Sequence, residues 1–110
     1  MLSIDESRRI TISQGDCVTL RVDLKKGGAP IVLKNGDRVT LTVKADGADN
    51  AIINQTVENG GQSFINFVLV KEDTEGVKAG RYKYDIKIAY EGGAYYAITY
   101  PTDFTIKAVV

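Results

Sequence analysis

The residues able to do chemistry in this 110-residue chain are few, and their types narrow the choice. There is no histidine. That removes the commonest general base, the Ser-His-Asp and Cys-His arrangements, and the histidine-based zinc sites. Cys17 is the single cysteine. Nothing beside it in sequence marks it as a nucleophile, so it reads as a small, half-buried packing residue where a strand begins. Glu72, Asp73 and Glu75 could pair as carboxylates for acid–base work. They read instead as a solvated turn whose acids sit near the N-terminus of one helical turn, where the dipole favours them. Asp46, Asp49 and Asn50 offer calcium-type oxygens, but the EF-hand spacing and its closing glutamate are missing. Tolerance of left-handed backbone in a hairpin turn explains the same residues.

Asn54-Gln55-Thr56 matches a glycosylation sequon, which has meaning only in a secreted chain. The glycines show no dinucleotide or phosphate-loop spacing. Tyr95, Tyr96 and Tyr100, beside Gly92-Gly93, could stack a sugar or a peptide. On a strand, Tyr96 and Tyr100 share a face with Ile98, which reads as core, and Tyr95 then points outward, as interface tyrosines do. No catalytic, cofactor-binding or metal-ligating residue is assigned.

The elements that would position these residues are strands. From Gly80 to Tyr90, Tyr82, Tyr84, Ile86, Ile88 and Tyr90 alternate with Arg81, Lys83, Asp85, Lys87 and Ala89. Successive side chains of a strand point to opposite faces, so this segment has one apolar face and one mostly charged face. The same alternation predicts strands at Ile10–Ser13, Val18–Leu24, Val39–Lys44 and Ile65–Val70, and a less regular one at Ala51–Val57. Phe64 and Val70 make both faces of the Ile65 strand partly apolar, as in a strand covered on both sides or one at an oligomer contact. Pro101 lacks an N–H and is predicted to divide a strand at Ala94–Tyr100 from a last one at Phe104–Ala108. Residues 1–7 read as a polar lead.

Breakers lie at Lys25–Pro30, Asn35-Gly36, Asp46–Asn50, Glu58–Gly61 and Glu91–Gly93. No apolar pattern at helical spacing persists for three turns. Seven to nine short strands with turns every 8–12 residues or so predict an all-β, immunoglobulin-like antiparallel sandwich. All nine aromatic residues lie between Phe64 and Phe104, which predicts that the C-terminal half holds most of the core. Gly80-x-Tyr82 predicts a tyrosine corner, in which the hydroxyl bonds back to upstream backbone. An antibody domain has a cysteine two positions later; here Tyr84 stands there, and the chain has no tryptophan.

Length predicts one domain over residues 1–110. Fourteen basic and fourteen acidic residues cancel, so the basic stripe of a nucleic-acid binder is missing. A single cysteine rules out an intrachain disulfide and suits a reducing compartment. The acidic start is unlike a signal peptide, and no apolar run is long enough to span a membrane. These features predict no nucleic-acid partner, no membrane association and assembly from the cytoplasm.

Three segments carry a family resemblance: Ile12-x-Gln14-Gly15-Asp16; Gly36-x-x-Val39-x-Leu41-x-Val43-Lys44; and Ile65-x-Phe67-x-Leu69, then Glu72-Asp73-Thr74, then Gly80-Arg81-Tyr82-x-Tyr84-Asp85-Ile86. In this order the chain resembles the small immunoglobulin-like domains of tailed-phage and prophage structural proteins. It is most similar to the N-terminal domain family of the baseplate upper protein, over roughly Ile10 to Ile106. The resemblance implies a non-enzymatic virion or tail-associated part without a cofactor. Such a part packs against itself as a homo-oligomer or against other tail proteins. The alternative is a β-sandwich module that binds a carbohydrate or a cell surface through its loops and Tyr95.

Overall fold

The computed structural model describes the backbone of residues 3–4 and 8–109, and the side chains of 8–98 and 101–109. In chain order the elements are β1 (Ser3–Ile4), β2 (Ile10–Ser13), β3 (Val18–Asp23), β4 (Lys25–Lys26) and β5 (Ala29–Pro30). Then come β6 (Arg38–Lys44), β7 (Ala51–Val57), β8 (Phe64–Leu69), α1 (Lys71–Thr74), β9 (Gly80–Ala89) and β10 (Tyr95–Lys107). The fold is an all-β, immunoglobulin-like sandwich without a disulfide, and seven of its strands run four residues or longer. A six-stranded sheet in the order β1-β2-β10-β9-β6-β7 faces a two-stranded sheet, β3-β8.

Alternation dictates which side of each strand is buried. Tyr82, Tyr84, Ile86 and Ile88 of β9 enter the core with Val39, Leu41 and Val43 of β6, Ile53 of β7 and Phe104 and Ile106 of β10. Leu20 of β3 and Ile65, Phe67 and Leu69 of β8 cover them from the other layer. Phe104 meets Tyr84 edge-on, with ring centroids 6.0 Å apart. Of the eighteen buried apolar side chains among the described residues, nine lie at or before Ile53 and nine at or after Ile65, so this core is shared evenly between the two halves. Aromatic content alone misjudges this, because aliphatic side chains on β2, β3 and β6 fill the other half.

Three strand expectations are corrected. Tyr95–Lys107 is one strand rather than two. Its ladder with β9 slips between Ala97 and Thr99 and again between Thr99 and Thr102, so Pro101 falls at an irregularity where no ladder bond needs its missing N–H. The pairing is not wholly antiparallel either, since β2 runs parallel to β10, with Phe104 opposite Ile10 and Ile106 opposite Ile12. β2 leads across into the other layer rather than into a hairpin, which frees its direction. Finally, Ser3–Ile4 of the N-terminal lead pair with β2; residues 1–2 and 5–7 lie outside the described residues.

The turn chemistry follows residue type. Gly27 and Gly28 both have positive φ, 59° and 83°, as a two-residue hairpin turn requires, and they close β4 onto β5. On the outer face of the large sheet, Lys83 and Asp103 sit directly across β9 and β10 and form an ion pair. The Lys83 ammonium holds the Asp103 carboxyl below its ordinary value of 3.8.

The tyrosine corner is present. The Tyr82 hydroxyl donates to the Lys78 carbonyl, four residues upstream, and pins the entry to β9. Tyr82→Phe removes only that donor from a part-buried hydrogen bond, so it should lower unfolding free energy by about 1–3 kcal/mol. Urea denaturation of the two proteins measures this; equal midpoints and slopes would show that the hydroxyl contributes nothing.

Candidate functional site

The two layers meet differently along their two sides. On one side β7 and β8 approach, and the Gln55 amide of β7 donates to the Val68 carbonyl of β8 at 2.9 Å. On the other side β3 has β8 as its only ladder partner among the described residues. β2 and β3 diverge from the turn at Gln14–Cys17, and a groove of about 520 Å³ opens between them. Ile10, Leu20, Tyr84, Ile86 and Ile98 supply apolar lining, and Arg8, Arg21, Asp23 and Lys25 the charged lining.

Each wall of the groove is held by a specific contact. The Tyr84 hydroxyl donates to the Arg8 carbonyl, bonding the chain just before β2 to the centre of β9. Arg8 has φ 63°, a left-handed conformation uncommon for a residue with a side chain, and this hydrogen bond helps to hold it there. At the other end Lys26 lies over the Tyr96 ring, 5.0 Å from its centroid, and ties the β4–β5 hairpin to β10. On β3, Arg21 stacks 4.2 Å from the centroid of Phe64 and pairs with Asp23 at 3.3 Å.

The edge of β3 is polar in a defined way. Leu24 N–H donates to the Ser63 carbonyl, continuing the register that sets Val22 opposite Ile65 and Leu20 opposite Phe67. Because backbone groups alternate in direction along a strand, the even-numbered residues bond to β8. Thr19, Arg21 and Asp23 then aim their N–H and C=O groups at the open side. An apolar-floored groove beside a row of backbone groups with no ladder partner among the described residues is a template for another extended chain.

The residues singled out for chemistry lie elsewhere and apart. Among the described residues, no three Cys, Asp or Glu groups stand close enough to share a metal ion. Cys17 is exposed rather than half-buried, because it shares its side of the chain with outward-facing Thr19 and Arg21. Asp46, Asp49 and Asn50 occupy the exposed β6–β7 connection. Asn54 and Thr56 are on the outer side of β7, where the Thr56 hydroxyl meets that of Thr40 at 2.9 Å. Tyr95 is 76% exposed and Tyr96 packs against the core; the Tyr100 side chain lies outside the described residues.

Glu72 and Asp73 lie in the first turn of α1, as expected, whereas Glu75 stands at its C-terminal cap rather than near its N-terminus. The Asp73 carboxylate accepts the Val70 N–H at 2.8 Å, and Lys71 pairs with Glu75 at 3.5 Å. The same clamp recurs twice, unforeseen in the sequence reading. Asp16 accepts the Ser13 N–H at 2.9 Å, and Asp37 accepts that of Lys34 at 2.9 Å. The buried Asp37 also takes the Glu91 N–H at 3.1 Å, joining the turn before β6 to the β9–β10 turn. The signal is local: in each case an aspartate follows, three residues on, the N–H it accepts.

No family model, curated protein or solved structure matches the chain. None of its described helices is long and apolar enough to cross a membrane.

Hydrogen bonds from Lys34 and Glu91 hold the Asp37 carboxyl below its ordinary value of 3.8. A depressed folded-state value stabilises the fold fully above the unfolded value, and the contribution is lost as pH falls through the folded one. Asp37→Asn should therefore lower Tm at pH 7 and flatten the loss of Tm with acid below about pH 4. Thermal melts across pH check this; parallel acid limbs for the two proteins would contradict the clamp.

Proposed function

We propose that this chain is a non-enzymatic packing module of a tailed-phage or prophage particle, associated with the tail in a baseplate-like position. It acts by docking extended edges rather than by turning over a substrate. One observation supports this reading above the others: the Gln55–Val68 bond joins β7 to β8, whereas the far edge of β3 has no ladder partner among the described residues and borders the apolar-floored groove. Soluble domains ordinarily blunt or cover such an edge, and proteins built to assemble leave it available.

The outer side of the small sheet fits the same role. Val68 and Val70 are exposed there, beside the half-buried Phe64. The partners are copies of this chain or neighbouring tail proteins, reached from the bacterial cytoplasm during assembly. The family resemblance supplies the kind of particle, and two of its segments come together in the fold. The Thr74 hydroxyl accepts the Gly15 N–H at 2.8 Å, and the Gln14 amide donates to the Val77 carbonyl at 2.6 Å. The Gln-Gly-Asp turn and the Glu-Asp-Thr helix thus form one structural unit.

A second reading rests on Tyr95. It stands exposed beside a pocket of about 260 Å³ with Thr40, Thr42, Lys44, Asp85, Lys87 and Ala89 on the outer face of the large sheet. An aromatic ring next to hydroxyls and charges suits a sugar face. A glycan titration that shifts tyrosine fluorescence in the native protein and not in Tyr95→Ala would favour it.

Particles purified after prophage induction in the source cells test the first reading. Quantitative mass spectrometry should find this chain at a fixed ratio to tail proteins. Its presence only in the soluble cell fraction would contradict the proposal.

A further inference from the structure

Resting on the packing reading, we infer that the occupant of the β3 edge is the β3 edge of a second copy of this chain. The two strands pair antiparallel about a two-fold axis through Val22. The inference comes from the order of side chains along the strand.

An antiparallel pair of identical strands sets residue i opposite residue j with a constant sum of their numbers. Thr19, Arg21 and Asp23 direct their backbone groups outward, so odd residues must face odd residues for the bonds to form, and the sum is even. Four such registers place the axis at a residue from Leu20 to Asp23. A sum of 40 sets Thr19 opposite Arg21 and Cys17 opposite Asp23, and forms no ion pair. A sum of 42 sets Arg21 against Arg21 of the second copy. A sum of 46 sets Asp23 against Asp23, and Arg21 against Lys25. Like charges directly opposite are destabilising, so both registers are disfavoured.

A sum of 44 sets Arg21 opposite Asp23 and Asp23 opposite Arg21, with Thr19 facing Lys25. Every charge on β3 then meets its opposite or a hydroxyl. Arg21 and Asp23 are held ready for this, both largely exposed and already paired within the chain at 3.3 Å. The apolar positions agree as well: Leu20 faces Leu24, and Val22 faces itself. Leu20 and Leu24 are buried in the single chain, whereas Val22 is half-buried at the groove, with surface left to cover.

The result is an isologous contact, in which one patch serves both copies and the assembly closes. A two-fold axis perpendicular to the sheet keeps both inner faces on the same side. The two small sheets merge into one of four strands, β8-β3-β3-β8, and the two apolar grooves face each other. The centre of the contact, Val22, lies at the groove rather than at the Gln14–Cys17 end, where β2 and β3 are joined.

Charge reversal tests the register, read by sedimentation equilibrium of the full chain over a wide concentration range. The native protein should dimerise. Arg21→Glu and Asp23→Arg each turn the cross-strand attractions into repulsions, and each should weaken the homodimer about tenfold or more. Mixed together, the two variants should form a heterodimer about as strong as the native dimer. The introduced glutamate of one chain then faces the introduced arginine of the other, and the retained Asp23 faces the retained Arg21. Circular dichroism of each variant confirms that these exposed changes leave the fold intact.

A covalent readout fixes the register independently. In Cys17→Ser/Val22→Cys, only the sum of 44 brings the new thiol opposite itself, in a non-hydrogen-bonded pair whose spacing accepts a disulfide. Mild oxidation should convert this variant to a covalent dimer. A stable oligomer indifferent to both reversals, or no crosslink at position 22, overturns the inference while leaving the packing reading standing. A native chain monomeric at all concentrations overturns the inference too, whether or not particles contain the chain. An edge filled instead by an acidic extended segment of another tail protein would show as a hetero-complex lost with Arg21→Glu, and overturns it equally.

Discussion

Backbone hydrogen bonds at the sandwich edge decide what this molecule can do. Each strand carries two rows of donors and acceptors, and each row must find a neighbour or water. In the large sheet β2, β10, β9 and β6 find neighbours on both sides. In the small sheet β8 has β3 on one side and the Gln55 amide of β7 on the other. β3 satisfies one row through β8, and among the described residues its second row has no ladder partner and borders an apolar-floored groove. The groove, the exposed Arg21–Asp23 pair and the closure of the β7–β8 side are consequences of that asymmetry.

The rest of the structure holds the opening in shape. The Tyr84 hydroxyl on the Arg8 carbonyl spans from the centre of β9 to the chain entering β2, so the far wall is tied to the core. The hairpin of β4 and β5 is fixed by Lys26 on Tyr96. At the joined end, the turn between β2 and β3 is braced by Gly15 on Thr74 and Gln14 on Val77, with Asp16 closing the turn itself. Thr74 is fully buried in doing this, which explains a polar residue amid the core. A preorganised groove loses less freedom when an extended chain enters it than a mobile one would.

Much of this was legible in residue order. Val39–Lys44 and Gly80–Tyr90 alternate so regularly that their inner faces, and nearly their bounds, follow from a period of two. Ile10–Ser13 and Ala51–Val57 match to the residue. The tyrosine corner was readable because Tyr82 stands two residues after a glycine at a strand start. What periodicity cannot supply is the neighbour. It marks a face as buried without saying that β2 lies parallel to β10, or that β3 has one partner rather than two. Pro101 misled for the same reason, since a missing N–H divides a strand only where the ladder is regular. The outward row on β3 needed the register with β8 before the parity of Arg21 and Asp23 meant anything.

Amide hydrogen exchange along β3, followed as a function of protein concentration, tests the central claim most directly. The amides of Leu20, Val22 and Leu24 face β8 and should be protected at every concentration. Those of Thr19, Arg21 and Asp23 face the open side and should exchange rapidly in dilute protein, then become protected as concentration rises. If the odd-numbered amides are protected in dilute solution, the edge is already covered within one chain. If they stay unprotected in concentrated protein, β3 is not where this molecule docks.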